Sequence, residues 1–234
     1  MTKKKPVFAV SPGGRKHELL VQLLKADGYT ACISDEQDAA NADFYITPKA
    51  ADPALLRERG ITPIEYLGRS DFKAANGILT AEAAICAAKS EVDFAYAGCR
   101  ALVTGSGCIA IPLARRLQAM GAFVTLAARS ADARLRARLT GLCAPDICFI
   151  GGEYDLIFNT VPAQIFDRDT LLSLNRDTVI IDLASLPGGV DKEAARELGI
   201  AVVPALALPG KYMPATAAKL IRACVRSAIK EMVL

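Results

Sequence analysis

The chain has 234 residues, of which 52% are hydrophobic and 23% are charged, enough to bury the core of one domain or of two small ones. Lys and Arg number 28 and Asp and Glu 25, so the net charge of +3 gives no basis for binding nucleic acid or an anionic membrane. We therefore expect small molecules and proteins as partners, including a second copy of the chain.

The first residues, MTKKKPVFAVSPGG, lack the sustained apolar segment of a signal peptide, and no apolar run has the length of a membrane span. These features predict a cytoplasmic protein. Seven cysteines stand without the spacing of metal ligands. We expect them to be reduced, mostly buried thiols, and we expect no metal site.

The first third of the chain alternates short apolar runs with amphipathic segments, which predicts a small α/β lobe over residues 1–79. Its strands are expected at 6–10, 30–34, 43–47 and 62–67, with helices after Arg15 and around 53–59. A Thr-x-Glu start at Thr80 followed by an Ala-rich run predicts a helix over 80–91, within an interdomain helix and linker over 80–97.

The same alternation continues from residue 98 to residue 214 and predicts a Rossmann-type doubly wound parallel sheet. Its strands are expected at 100–105, 123–128, 154–160, 178–184 and 201–206, and its helices near 109–120, 131–140, 168–174 and 191–198. A final amphipathic helix over 215–234 is expected to pack at the hinge between the two lobes. The predicted fold class is thus a Rossmann domain plus a smaller N-terminal α/β lobe.

A glycine-rich turn follows the first strand of the second block. Gly105-Ser106-Gly107-Cys108-Ile109-Ala110 fits G-x-G-x-x-G/A, in which two glycines permit a tight turn and a close approach to a pyrophosphate. The amides of residues 106–109 would face an anion at the start of a helix. This context predicts a dinucleotide cofactor, the alternative being a tight turn without a ligand.

The second strand of this block ends in Ala128, Arg129 and Ser130, where an NAD-binding segment carries an Asp or Glu for the adenosine ribose. A guanidinium and a hydroxyl can instead bind a 2′-phosphate. The sequence therefore predicts NADP, with NAD still possible. The alternative is that Arg129 covers a surface loop or stacks on adenine.

Three further loops follow the later strands, and in doubly wound sheets the ligand lies beyond the carboxyl ends of the strands. We expect them to line the cofactor cleft, although Pro and Gly there could be simple turn residues and Asn159 could cap a helix. The candidates are Asn159, Thr160, Val161 and Pro162 in the first loop, Asp182, Leu183, Ala184, Ser185 and Pro187-Gly188-Gly189 in the second, and Lys211 in the third.

The first lobe offers Arg15 as a candidate carboxylate clamp after its first strand. His17, the only histidine, is expected to face solvent or to cap the helix rather than act as a base. A general acid or base would then have to be Lys211, Glu82 or water.

Five segments together resemble the family of the NADP-binding A chain of dipicolinate synthase: DFKAANGILTAEAAI, TGSGCIAIPLARRLQAMGAFVTLAARS, YDLIFNTVP, VIIDLASLPGGVD and LALPGKYMPATAAKLI. They cover residues 71–222 almost continuously, whereas the first lobe matches loosely and has Gly13 where the family carries an acid. The resemblance implies NADP-linked oxidation of dihydrodipicolinate, or of its hydroxylated tetrahydro precursor, to dipicolinate in endospore formation. It also implies that the partner is a second, flavoprotein-like chain of the synthase.

By the same resemblance, Arg15 and Lys211 would hold substrate carboxylates, and Asn76, Thr80, Glu82 and Ser185 would line the cleft. Glu82 could equally be a first-turn charge that stabilises its own helix. Two other functions remain open: an NADP-dependent dehydrogenase of another small carboxylate, such as a shikimate-type substrate, and a cofactor-binding regulatory subunit without catalysis.

Overall fold

The computed structural model describes residues 5–233, and it divides into two compact units. The first unit takes the described residues up to 79 together with those from 209 onward, and the second takes residues 80–208. Within the described residues, no helix is both long and apolar enough to cross a bilayer.

The first unit contains a parallel four-stranded sheet in the order β2-β1-β3-β4. Its helices lie over the faces of this sheet, and α1 packs against the C-terminal helix α9. The strands are β1 (Val7–Val10), β2 (Thr30–Ile33), β3 (Phe44–Thr47) and β4 (Thr62–Glu65). The helices are α1 (Arg15–Ala26), α2 (Pro53–Glu58), a 3₁₀ turn (Tyr66–Gly68), the first half of α3 (Ser70–Lys89), α8 (Leu208–Tyr212) and α9 (Pro214–Val233).

The second unit contains a parallel five-stranded sheet in the order β6-β5-β7-β8-β9. The order reverses between β5 and β7, and this switch point is where such sheets bind ligands. The strands are β5 (Arg100–Thr104), β6 (Phe123–Ala127), β7 (Leu156–Asn159), β8 (Val179–Asp182) and β9 (Ala201–Pro204). The helices are α4 (Ala110–Ala119), α5 (Ala131–Leu139), α6 (Arg168–Leu172) and α7 (Lys192–Leu198). The predicted fold class is therefore confirmed.

The outer edge of β6 carries only a rudiment of a further strand. Thr125 forms an isolated parallel bridge with Cys143, and the Leu126 amide donates to the Cys143 carbonyl at 2.8 Å. Pro145 cannot donate a ladder hydrogen bond, so the pairing stops after two residues. The segment that follows runs as a loop past the carboxyl end of β6, where the Ala128 amide contacts the Pro145 carbonyl at 3.3 Å.

Two expected boundaries differ from the structure. The helix predicted to begin at Thr80 begins at Ser70, because Phe72 packs into the core of the first unit and its turn stays helical despite the low helix propensity of Gly77. Residues 209–214 fall in the first unit rather than the second, because α8 and α9 are nearly continuous and α9 is anchored on α1.

The expectation of mostly buried cysteines is wrong. Among the seven, Cys99 and Cys224 are buried and the other five are exposed. The exposed ones lie at positions that face away from the two cores, where a thiol is accepted as a small polar residue.

Candidate functional site

The glycine turn between β5 and α4 has the geometry of an anion site. Gly105 has φ +104°, and a Cβ placed there would lie 2.4 Å from Thr160 Oγ1, so a side chain is excluded both by backbone conformation and by space. Within the described residues, the amides of Ser106, Gly107, Cys108 and Ile109 have no hydrogen-bond partner. Four free amides thus lie at the positive end of a ten-residue helix.

A cavity of about 510 Å³ opens beside this turn in the second unit. Eight of the residues predicted to bind the cofactor line it: Gly105, Ser106, Gly107, Arg129, Ser130, Thr160, Val161 and Pro162. The sequence did not point to Ile147, Ala163 and Ile165, which complete the lining. Ile147 lies in the loop that replaces a sixth strand, and that loop has no motif from which its position could be read.

Arg129 and Ser130 differ in how they are engaged. The Arg129 side chain is exposed and, across residues 5–233, its guanidinium has no carboxylate or hydrogen-bond partner. Ser130 is the N-cap of α5, and its hydroxyl oxygen accepts from the Ala133 amide at 3.4 Å. The hydroxyl proton remains able to donate to an anion in the cavity.

Asn159 is fully buried and serves the protein rather than the cavity surface. Its Oδ1 accepts from the Thr104 hydroxyl at 2.7 Å and from the Val161 amide at 3.0 Å. Its Nδ2 donates to Asp182 Oδ1 at 2.8 Å and to the Val161 carbonyl at 3.2 Å. The side chain therefore links the carboxyl ends of β5, β7 and β8 and fixes the loop that carries Thr160 and Val161. We call Thr104, Asn159 and Asp182 the polar bridge.

The Pro-Gly-Gly turn after β8 closes over this polar bridge. The Gly189 amide donates to Asp182 Oδ2 at 3.3 Å, and a Cβ at Gly189 would lie 2.1 Å from Asn159 Nδ2. The glycine is therefore required for packing rather than for flexibility toward a ligand. Asp182 also accepts from the Ala184 amide at 3.2 Å, so its carboxylate is held inside the protein.

The remaining predicted cofactor ligands do not line the cavity. Ala128, Leu183 and Ala184 are buried at strand ends, Cys108 and Ser185 are exposed, and Ile109 is half-buried at the start of α4. Cys108 and Ile109 offer backbone amides to the turn, and their roles and that of Ser185 stay predictions.

In the first unit, Arg15 and Lys211 both have exposed side chains. Arg15 forms an ion pair with Glu18 at 3.2 Å on the surface of α1, and Lys211 Nζ lies 5.3 Å from the centre of the Tyr212 ring. Lys16, which sequence reasoning passed over, packs across Gly210: a Cβ there would lie 3.2 Å from Lys16 Cδ. Burial lowers the pKa of Lys16.

The expectation that His17 faces solvent is wrong. The ring is fully buried, Nδ1–H donates to the Ser11 carbonyl at 2.6 Å, and Nε2 accepts from the Tyr66 hydroxyl at 2.8 Å. Burial lowers the pKa of His17, so the imidazole is neutral. Gly13 leaves space for this ring, since a Cβ would lie 2.1 Å from Nδ1. The periodicity of α1 held the signal: His17 lies three, four and seven residues before buried apolar positions.

The three candidates on α3 differ in exposure. Asn76 is half-buried, Thr80 is buried and Glu82 is exposed. Thr80 follows Asn76 by four residues and so lies on the same helix face, whereas Glu82 is rotated about 200° from Thr80. Glu82 therefore stands on a different side of α3 from the other two candidates.

Metal chemistry finds no support in the described part of the chain, where no group of three or more His, Cys, Asp or Glu side chains could hold an ion. The site therefore consists of a free-amide turn, a guanidinium and a hydroxyl around one cavity.

Comparison with known proteins places this geometry in context. No family model matches the chain. The dipicolinate synthase A chain of Bacillus subtilis (strain 168) is 32% identical over 161 residues, which are 68% of this chain and 54% of that protein. The chain thus spans about half the length of the curated relative it matches.

Two solved structures share the fold over nearly the whole chain. The dipicolinate synthase A chain from Bacillus halodurans superposes with a TM-score of 0.79 at 23% identity, covering 96% of this chain and 98% of that one. The A chain of dipicolinate synthase from Bacillus subtilis gives 0.82 at 22% identity, covering 97% of both.

Proposed function

We propose that this chain, whose resemblance to the dipicolinate synthase A-chain family is confirmed by sequence and by fold, is an NADP-dependent oxidoreductase that forms dipicolinate. Its substrate would be dihydrodipicolinate or the hydroxylated tetrahydro precursor. The observation that carries the proposal is the cavity in which the free-amide turn meets the Arg129 guanidinium.

The residues present fit a dinucleotide. The amides of 106–109 are four donors without acceptors in the described chain, which suits the two charges of a diphosphate. Thr160 and Val161 form the opposite wall of the cavity, and the polar bridge holds them in place. When bound, the nicotinamide supplies a hydride acceptor.

NADP is favoured over NAD by charge. Among the described residues that line the cavity none is a carboxylate, whereas the Arg129 guanidinium and the Ser130 hydroxyl both border it. A guanidinium binds a phosphate through short, charge-assisted hydrogen bonds. A cation at this place thus supports recognition of the extra phosphate on the adenosine ribose.

Substrate binding is assigned to cations of the first unit and to the helix α3. Arg15 and Lys211 would bind the two carboxylates, with Asn76, Thr80, Glu82 and Ser185 lining the site. Lys16 joins this set because it is half-buried without a carboxylate partner in the described chain. Any of these cations would neutralise a flat dicarboxylate and orient the ring carbon that loses hydride.

Aromatisation makes a strong base unnecessary. Loss of hydride from one ring carbon of dihydrodipicolinate leaves a protonated pyridine, and loss of one further proton gives the aromatic product. Lys211, Glu82 or water would accept that proton. The protein's main contribution is to hold the ring in place and to exclude water.

We extend the proposal to the cellular setting that the relative's name suggests. One lettered chain of a synthase implies another, and the resemblance gives a flavoprotein-like partner. Action in the cytoplasm during endospore formation follows from the same resemblance.

The direct test titrates the protein with NADPH and NADH by nucleotide fluorescence. NADPH is expected to bind more tightly. Arg129→Asp is expected to weaken NADPH binding about 10- to 100-fold, since a charge-assisted phosphate contact is worth about 1.5–3 kcal/mol. Arg176→Asp is the matched control, because it makes the same charge change in the exposed turn before β8, at the other end of the strand.

Turnover then separates the candidate functions. With NADP and freshly prepared dihydrodipicolinate, absorbance from both NADPH and the pyridine product should rise. Oxidation of shikimate in place of dihydrodipicolinate would favour a different dehydrogenase. NADP binding without turnover, even with the flavoprotein-like partner, would favour a regulatory role, and no binding of either nucleotide would refute the proposal.

A further inference from the structure

One guanidinium organises the loop that carries Arg129. Arg134, one turn into α5, donates from Nη1 to the carbonyl oxygens of Ala128 at 2.9 Å and of Arg129 at 2.7 Å. The same nitrogen contacts Asp146 Oδ2 at 2.6 Å. Two protons are therefore shared among three acceptors, and all three lie on segments that border the cavity.

The pair of Arg134 and Asp146 joins the two segments that frame one side of the cavity. Arg129 and Ser130 line the cavity from the end of β6, and Ile147 lines it from the loop that replaces a sixth strand. Asp146 Oδ1 accepts from the Cys148 amide at 3.1 Å, so the carboxylate encloses Ile147 in a turn. The Cys148 amide and the Arg134 guanidinium lower the pKa of Asp146.

Little else fixes the backbone at Arg129. Within residues 5–233 its amide has no partner, and the neighbouring Ala128 amide makes only a 3.3 Å contact with the Pro145 carbonyl. The Arg134 side chain is 18% exposed and that of Asp146 is 30% exposed, so water competes with their contact only partly. Without Arg134, two carbonyls would turn to water and the position of Arg129 would become variable.

We infer that Arg134, held by Asp146, is a positioning residue that sets the preference for NADP over NAD by fixing the backbone from which Arg129 reaches the cavity. The inference rests on the proposed function and deepens it. Arg134 acts through Arg129, because its own charge is already neutralised by a carboxylate. Its loss should therefore affect the phosphate-bearing coenzyme and leave the diphosphate turn unchanged.

The experiment measures dissociation constants for NADPH and NADH on the full chain and three variants. Arg134→Met keeps the length of the side chain and removes its donors. It is expected to weaken NADPH binding about 10-fold and NADH binding by less than about twofold, a selective loss of roughly 1.4 kcal/mol. Arg134→Lys restores one charged donor and should recover part of the loss. Asp146→Asn should lower the same preference while keeping the size of its side chain.

Arg136→Met is the control, since Arg136 lies on the same helix but pairs with Asp132 on the exposed face. An equal loss for both coenzymes in Arg134→Met, or an unchanged preference in all three variants, would overturn the inference while leaving the NADP proposal intact. A wild-type protein that does not prefer NADPH would refute both. Melting temperatures of the variants show that each is folded.

Discussion

The replacement Asn159→Ala tests the claim that a buried amide holds the cavity together. The side chain makes four hydrogen bonds, to the Thr104 hydroxyl, to the amide and the carbonyl of Val161, and to Asp182. Each bond contributes roughly 1 kcal/mol net, and the partners left behind are buried. The variant should therefore lose about 4 kcal/mol of unfolding free energy.

Urea denaturation followed by circular dichroism measures this loss. Asn175→Ala is the control, because Asn175 is exposed in a turn and its side chain accepts a long contact from the Asp177 amide at 3.4 Å. The control should change stability by less than about 0.5 kcal/mol. Affinity for NADPH should fall in Asn159→Ala as well, since the loop at Val161 is released. A loss below about 1 kcal/mol would refute the reasoning, because water would then have replaced the amide at little cost.

Three further results are expected. Gly105→Ala should abolish measurable NADPH binding in a fluorescence titration, since φ is +104° and the new Cβ meets a hydroxyl at 2.4 Å; retained binding would show that the turn is not the coenzyme site. Arg69→Gln should lower the melting temperature, because Arg69 binds both carboxylate oxygens of Glu231 on α9; the Glu231 pKa is lowered, so the difference from wild type should shrink as the pH falls into the range of free glutamate, and a constant difference would contradict the ion pair. His17→Leu should cost about 2 kcal/mol by leaving two buried partners unsatisfied. The His17 pKa is lowered in the folded state, so wild-type stability should fall below about pH 6.5 in a way the variant does not share; identical pH profiles would contradict the buried neutral ring.

The sheets and the glycine turn could be predicted because local patterns encode them. Each strand is a short apolar run, most of them buried on both faces, and the helices between them have caps such as Ser130 and Asp191. Most of the cavity lining followed from one rule, that ligands lie beyond the carboxyl ends of parallel strands.

What could not be predicted depends on contacts distant in sequence. His17 is buried through Tyr66, 49 residues away, and Asn159 is used internally because Asp182 and Thr104 lie on neighbouring strands. Pattern alone gives the end of a strand but not whether the side chain there faces a ligand or another strand end. Ile147 lies in an irregular loop whose path is set by Arg134 and Asp146, so no periodicity could place it.

The most direct measurement is a crystal structure of the protein with NADP bound. The account predicts a diphosphate on the amides of 106–109 and the ribose phosphate at the Arg129 guanidinium. A coenzyme bound elsewhere, or one whose ribose phosphate points away from Arg129 into solvent, would contradict it.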